Sequence, residues 1–323
     1  MPKRRTLLLA AALAVAALPV LAQTQWPTRP IRIVVPYGPG SSPDVLVRLF
    51  SDKLGKSLGQ PVVVENKPGA GGNTGTDFVA KAAPDGYTFL VSTNGPLVYS
   101  TVFNPKLPYD PFKDLAPVTL AGVQPNVCAV SNDLKVDDVK GWVAAMKKDP
   151  GKYNYSSTGV GSMSHLSVEI VKLESDSYAV HLPYASSPLA VMAVLQGDVQ
   201  FACVPPVAVM PQAKAGKLKA VAVTSAKRSR LAPELPTMAE SGFPDIQALA
   251  WMAIMAPAKT PPDIIQRMSK EIAAILAEPE TQHKLATAYM ESVGSTPEEL
   301  GNWMLEERER WAPVIKHVGL SAN

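Results

Sequence analysis

The chain has 323 residues, with 31 Lys and Arg against 28 Asp and Glu and a formal charge of +3. Three of the cations, Lys3, Arg4 and Arg5, stand at the N-terminus. The remainder is formally neutral and presents no basic field for nucleic acid or an anionic membrane. A chain of this length accommodates two lobes more readily than one core.

In chain order, the three cations and the apolar stretch from Leu7 to Leu21 form a cleavable export signal over 1–22, with Val20-Leu21-Ala22 as the small-residue cleavage site. Ala22 is not followed by Cys, which argues against a lipid anchor, and no later segment is apolar for long enough to span a bilayer. Strand-like runs then recur at Ile31–Pro36, Val62–Glu65, Thr88–Ser92, Val127–Ser131, Tyr153–Ser156, Ala179–Leu182, Val199–Val204, Leu218–Thr224 and Ala248–Ala256. These short continuous apolar runs are those of strands covered on both faces. Helical periods separate them, as in Val45, Leu46, Leu49, Phe50 and Leu54. Alternation of β and α predicts mostly parallel sheets flanked by helices. The last part is helical, with starts at Thr260–Asp263, near Pro279, and at the capping box Thr296–Glu299.

This order predicts two lobes joined by crossing strands, the first crossing near Gly122–Pro125 and the return near Ser225–Phe243. The lobes are expected at 23–122 plus 228–323, and at 123–227. A ligand belongs in the cleft between them, beyond the carboxyl ends of the strands. Cys128 and Cys203 lie in apolar strand-like runs. They form a disulfide if those strands are neighbours and are buried thiols otherwise.

Loops that enter helices are where the chemistry concentrates. Tyr37-Gly38-Pro39-Gly40-Ser41-Ser42 follows the first strand, with Ser42 as the expected N-cap and Pro43 as the first helical residue. Free amides at the positive end of a helix dipole hold an anion without a charged side chain. Asp44 is expected to fix this loop or to accept hydrogen bonds from a ligand or water. The same design recurs at Ser157, Thr158, Gly161, Ser162, Ser164 and His165, and again at Tyr184 and Ser186 ahead of a helix capped by Ser187-Pro188. Asn94, after the third strand, offers an amide. The ligand site is therefore expected at these loops.

Other chemistries are weaker. Gly161-Ser-Met-Ser-His165 lacks the trailing glycine of a nucleophile elbow, leaving an exported serine hydrolase using Ser162 or Ser164 with His165 as a remote alternative. Gly69–Gly75 resembles a phosphate loop without its Gly-Lys-Ser/Thr ending. No His, Cys and carboxylate spacing recommends a metal, and no cofactor is expected.

Several motifs in order carry a family resemblance. They are Trp26-Pro-Thr-Arg-Pro-Ile-Arg-Ile-Val-Val-Pro-Tyr37, Gln60-Pro-Val-Val-Val-Glu-Asn-Lys-Pro-Gly-Ala-Gly-Gly-Asn73, Ala83-Pro-Asp-Gly-Tyr-Thr88, Leu107-Pro-Tyr-Asp-Pro111, Ala222-Val-Thr-Ser225 and Leu235-Pro-Thr-Met-Ala-Glu-Ser-Gly242. Through them the chain resembles the Bug-type periplasmic receptors of tripartite tricarboxylate transporters. The resemblance implies a two-lobed type II periplasmic-binding-protein fold and a periplasmic, non-catalytic, monomeric receptor. It implies a small organic acid ligand, a mono- or dicarboxylate with aromatic acids included, delivered to a small and a large integral membrane subunit. A receptor presenting its ligand to a sensor protein is the alternative partner. Where the family commonly has Pro-Gly-Gly, this chain has Ser41 for the second glycine. Ala185-Ser186 stands where Lys-Gly is common, which implies a less cationic cleft.

Overall fold

The computed structural model describes residues 26–320, and the expected export signal lies outside the described residues. Among the described residues there are eleven strands: β1 (Ile31–Val35), β2 (Val62–Asn66), β3 (Thr88–Thr93), β4 (Leu115–Pro125), β5 (Val127–Ser131), β6 (Asn154–Ser157), β7 (Val180–Pro183), β8 (Phe201–Val204), β9 (Leu218–Val223), β10 (Leu249–Pro257) and β11 (Glu291–Ser292). They form a six-stranded sheet in the order β11-β4-β10-β3-β1-β2 and a five-stranded sheet in the order β7-β6-β8-β5-β9. All nine runs expected as strands are strands.

Two-sided burial explains why β1 reads Ile-Arg-Ile-Val-Val rather than alternating. Ile31, Ile33 and Val35 pack into one apolar cluster with the helix Ser42–Leu58 and the helix Pro262–Ala277, while Val34 faces the opposite cluster with Leu300, Met304 and Trp311 of the helix Pro297–Val318. That last helix starts at the expected capping box, Thr296 with Glu299.

Both sheets are mixed rather than mostly parallel. β1 pairs in parallel with β2 and β3, and β6 with β7 and β8. The strands on either side of the crossings, β4 with β10 and β5 with β9, pair antiparallel because the chain leaves and re-enters each sheet there. β4 stays in the first sheet through Pro125, paired with Leu249, and β5 opens the second at Val127. The return leaves β9 at Val223 and re-enters at Leu249, and on the way Ala232 and Leu235 pack in the second lobe's core. On this topology we propose lobe boundaries at Asn126, later along the chain than the expected 122/123, and between Thr224 and Ala248, an interval that contains the expected 227/228.

Cys128 and Cys203 are directly opposed on β5 and β8 and form a disulfide, which decides between the two states open from sequence. Among the described residues no helix is long and apolar enough to cross a membrane, and no cluster of three or more His, Cys, Asp or Glu is placed to hold a metal.

Candidate functional site

The loop after β1 is held from below. Asp44 is buried and accepts from Gly40 N at 2.9 Å, Arg48 Nε at 2.9 Å and Asn66 Nδ2 at 2.9 Å, while Asn66 Nδ2 also donates to Tyr37 O at 3.0 Å. Of its two expected roles, Asp44 performs the first and fixes the loop. The helix begins at Ser42 with Ser41 as N-cap, one residue earlier than expected, which puts Pro43 at its second position. Neither serine caps with its side chain. Both hydroxyls are buried without a hydrogen-bond partner, and both residues line the cavity between the lobes.

The second lobe offers two matching helix starts. Ser162 caps the helix Met163–Glu174 by accepting from His165 N, and Ser186 caps the helix Ser187–Gln196 by accepting from Leu189 N. The cap of this second helix is thus Ser186, and the expected cap Ser187 is its first residue; the Ser187 hydroxyl is buried and unpartnered. Ser164 Oγ lies 2.8 Å from Thr158 Oγ1 and 3.1 Å from Ser162 Oγ, so these hydroxyls form a ladder along the cleft wall.

Between the lobes lies a cavity of about 40 Å³ whose wall includes Tyr37, Ser41, Ser42, Asn94, Thr158, Ser162 and Ser164 from the expected set. It also includes Thr93, Gln124, Asn126, Met163, Ser187 and Pro205, none of them in that set. Gln124 Oε1 and both side-chain polar atoms of Asn126 are buried without partners, like the three serine hydroxyls. Unpaired buried polar atoms each cost about 1–3 kcal/mol. Six of them belong to residues that line one small cavity. Asn126 also sits at the crossing itself: its N–H donates to Thr224 Oγ1 at 2.9 Å and its carbonyl accepts from Thr224 N at 3.0 Å. Thr224 is tied to Ala248 in turn, through Oγ1 at 2.9 Å and O at 2.7 Å.

Residues 46–320 match the family model of the tripartite tricarboxylate transporter family receptor. The chain belongs to this receptor family. It is 38% identical to Protein BugT of Bordetella pertussis over 304 residues, covering 94% of this chain and 93% of that one. Its fold superposes on a Rhodopseudomonas palustris protein solved with adipate at a TM-score of 0.88, with 31% identity over 92% of this chain and 99% of that one. MatC from Rhodopseudomonas palustris, solved with bound malate, gives a TM-score of 0.86 with 29% identity, covering 90% and 100%.

The lobes of this receptor touch. Gly38 N donates to Ala185 O across the cleft at 3.1 Å. Gly71 and Gly159 meet so closely that a Cβ on Gly159 would lie 2.5 Å from Gly71 Cα, and a Cβ on Gly161 would lie 2.2 Å from the Phe103 ring. Gly38 and Gly161 thus serve as close-approach points, Pro39 is exposed, and Gly40 anchors to Asp44. Tyr184 lies on a neighbouring recess that shares Tyr37 and Thr158 with the cavity. Burial pushes the Tyr37 hydroxyl up to about 12, and it hydrogen-bonds Thr93 Oγ1 at 2.7 Å and Gly71 O at 3.2 Å.

Asn94 acts differently from the amide donor expected. Its Nδ2 donates to Leu249 O at 3.1 Å and to Tyr99 Oη at 3.0 Å, and Tyr99 Oη donates to Glu307, which also accepts from Trp251 Nε1 at 3.0 Å. Leu249 O can only accept, so the amide orientation is fixed and both its hydrogens are engaged inward. The carbonyl oxygen is the group left for the cavity.

Ser157 and His165 belong behind the wall. Ser157 is fully buried, with Oγ 2.6 Å from His181 Nε2 and accepting from Gly159 N at 3.0 Å. His165 Nδ1 accepts from Gly161 N at 3.2 Å, its Nε2 faces Glu169 at 3.7 Å, and its ring stacks on His181 at 3.8 Å between centroids. Ser162 Oγ donates to Gly159 O at 2.7 Å, so the hydroxyls and the His165 ring serve loop geometry rather than each other.

Burial lowers His165 to about 4 and His181 to about 3, each from an ordinary value of 6.5, with Lys172 opposing the charge on both and His165 opposing it on His181. Both are therefore neutral when folded above those values, while the unfolded chain takes up protons below about 6.5. Their contribution is intact above pH 6.5 and is lost as pH falls toward 4 and then 3. Stability should fall by about 1.4 kcal/mol per pH unit for each histidine across that window. Denaturant titrations from pH 7 to 4 measure this. His165→Gln with His181→Gln should flatten the slope.

Proposed function

We propose that this receptor grips the carboxylate of a small organic acid on uncharged donors from both lobes and releases it chemically unchanged to its membrane transporter. The carrying observation is the set of unpartnered buried donors, the hydroxyls of Ser41, Ser42 and Ser187 with Asn126 Nδ2, gathered on one cavity at two helix N-termini, while the unpartnered Gln124 Oε1 and Asn126 Oδ1 beside them can accept from a hydroxyl or water on the solute. Carboxylates suit such sites because amide and hydroxyl dipoles complement the charge while the helix ends supply positive potential. The acids present in two relatives, adipate and malate, support the same class of ligand.

The expected ligand residues Tyr37, Ser41, Ser42, Thr158, Ser162 and Ser164 enter this reading as cavity wall, joined by Gln124, Asn126 and Ser187. Closure is a rotation of the lobes about Asn126 and Thr224–Ala248, which brings the second-lobe hydroxyls onto a solute already lying against the first. The receptor works as a monomer in the periplasm, reached by export of the chain on its signal, which is then cleaved after Ala22.

A ligand that binds only the folded state stabilises it by about 2.7 kcal/mol at a hundred times its Kd. Ligand-free protein should therefore melt higher with the right carboxylate, and chromatography should recover that acid intact. Ser42→Asp supplies the decisive arm. A carboxylate in the first turn suits the helix dipole and leaves the fold stable, yet it occupies the anion position. The variant should keep its unliganded Tm and lose the carboxylate response. A retained response would overturn the assignment of this helix start.

A further inference from the structure

The cavity of about 40 Å³ is small for the job assigned to it. A water needs about 10–15 Å³ in this measure, so the cavity takes about three water-sized groups, the size of one carboxylate. The rest of any acid must lie elsewhere. Against it, sharing Tyr37 and Thr158 as a party wall, is the recess of about 370 Å³ between the glycine-rich loop of the first lobe and the loops after β6 and β7.

The chemistry of that recess is uniform. Among the described residues, no Lys, Arg, His, Asp or Glu lines either compartment. Its apolar lining includes Ala70, Phe103, Val160, Pro183 and Ala185, with Tyr184 and the uncharged side chains of Asn73 and Asn104 beside them, whose Oδ1 atoms accept from Tyr109 Oη and Lys106 N. The glycine loop and the helix Asn73–Ala80 that follows it look like a second anion cradle, but their amides point inward. Gly72 N donates to Gly69 O at 2.9 Å, Thr74 N to Gly69 O at 3.4 Å, and Asn73 N to Ala70 O. A second carboxylate placed here would be desolvated with no cation to receive it.

We propose that this receptor selects monocarboxylates bearing an uncharged aromatic or aliphatic tail, with the carboxylate in the inner cavity and the tail in the recess. The inference rests on the carboxylate reading above and adds the ligand's second half to it. Tyr37 and Thr158, at the junction, are the positions past which the tail runs. Ala185 is the position that sets its charge preference, because its side chain is exposed on the recess wall while its carbonyl is engaged by Gly38 N.

Three acids separate the two halves of the claim by calorimetric titration of ligand-free protein: propionate, 3-phenylpropionate and 3-(4-carboxyphenyl)propionate. Phenylpropionate should bind at least about tenfold more tightly than propionate, through apolar burial of the ring. It should exceed the doubly charged acid by about tenfold or more, through the unpaired desolvated charge. Ala185→Lys, a surface change, should reverse that last preference. Equal affinities for propionate and phenylpropionate, or tighter binding of the doubly charged acid by the parent, would overturn the tail assignment while leaving the carboxylate site standing. An unreversed preference in Ala185→Lys counts against the recess as the tail's seat. Failure of all three acids to bind would overturn both readings.

Discussion

Gly159→Ala is expected to weaken ligand binding by about 10²–10⁴-fold while leaving the protein folded. The added Cβ would sit 2.5 Å from Gly71 Cα, backbone against backbone, with no flexible side chain to move aside. The lobes are then held apart, and the solute loses the hydroxyls of whichever lobe cannot arrive. Two charge-assisted hydrogen bonds at about 1.5–3 kcal/mol each give that range. Gly159 also has φ +126°, so any side chain there strains the backbone irrespective of closure. Gly197→Ala is the control. Gly197 too has a positive φ, +85°, but open space around its missing Cβ. It should cost stability of about 1 kcal/mol without touching affinity. Calorimetric titration of both variants reads the difference; a Gly159→Ala protein with parental affinity would mean that this contact plays no part in closure.

Replacing Cys128 and Cys203 together by alanine should lower the Tm by about 5–15 °C. The disulfide joins two adjacent interior strands of the second lobe, both cysteines are buried, and it spans 75 residues of sequence. Constraint of a loop that long is worth about 2–4 kcal/mol, and a domain of this size shifts by a few degrees per kcal/mol. Scanning calorimetry of the double variant measures the loss. Its ligand response should persist at temperatures where it is folded, because neither sulfur lines the cavity. A Tm within about 1 °C of the parent would show that packing of β5 on β8 alone holds this lobe.

Local signals made much of this molecule readable from its sequence. The nine expected strands were short apolar runs bounded by turn residues, and three helix-start loops announced themselves through Ser, Gly and Pro. What sequence displaced was small: adjacent serines at 41–42 and 186–187 suit a cap equally well, and each helix chose the earlier one as its cap. β4 was not foreseen because Pro117, Gly122 and Pro125 read as breakers. The sheet accommodates Pro117 next to an irregularity in the β4–β10 pairing, opposite Met255. Gln124 and Asn126 escaped for a different reason. Nothing nearby in sequence marks them, and they reach the cavity only because strands far apart in the chain converge at the crossing. The inward engagement of Asn94 likewise depends on Glu307, over two hundred residues away.

On the proposed closure, the peptide of Asn126 lies on the line about which the lobes turn, and its side chain lines the cavity proposed for the acid. Points on a rotation axis scarcely travel, whereas the loop around Gly159, at the far rim, sweeps the longest arc. An incoming acid therefore meets Asn126 and Gln124 in nearly the same arrangement whether the jaws are apart or together. Capture begins at the axle, and the rim arrives last.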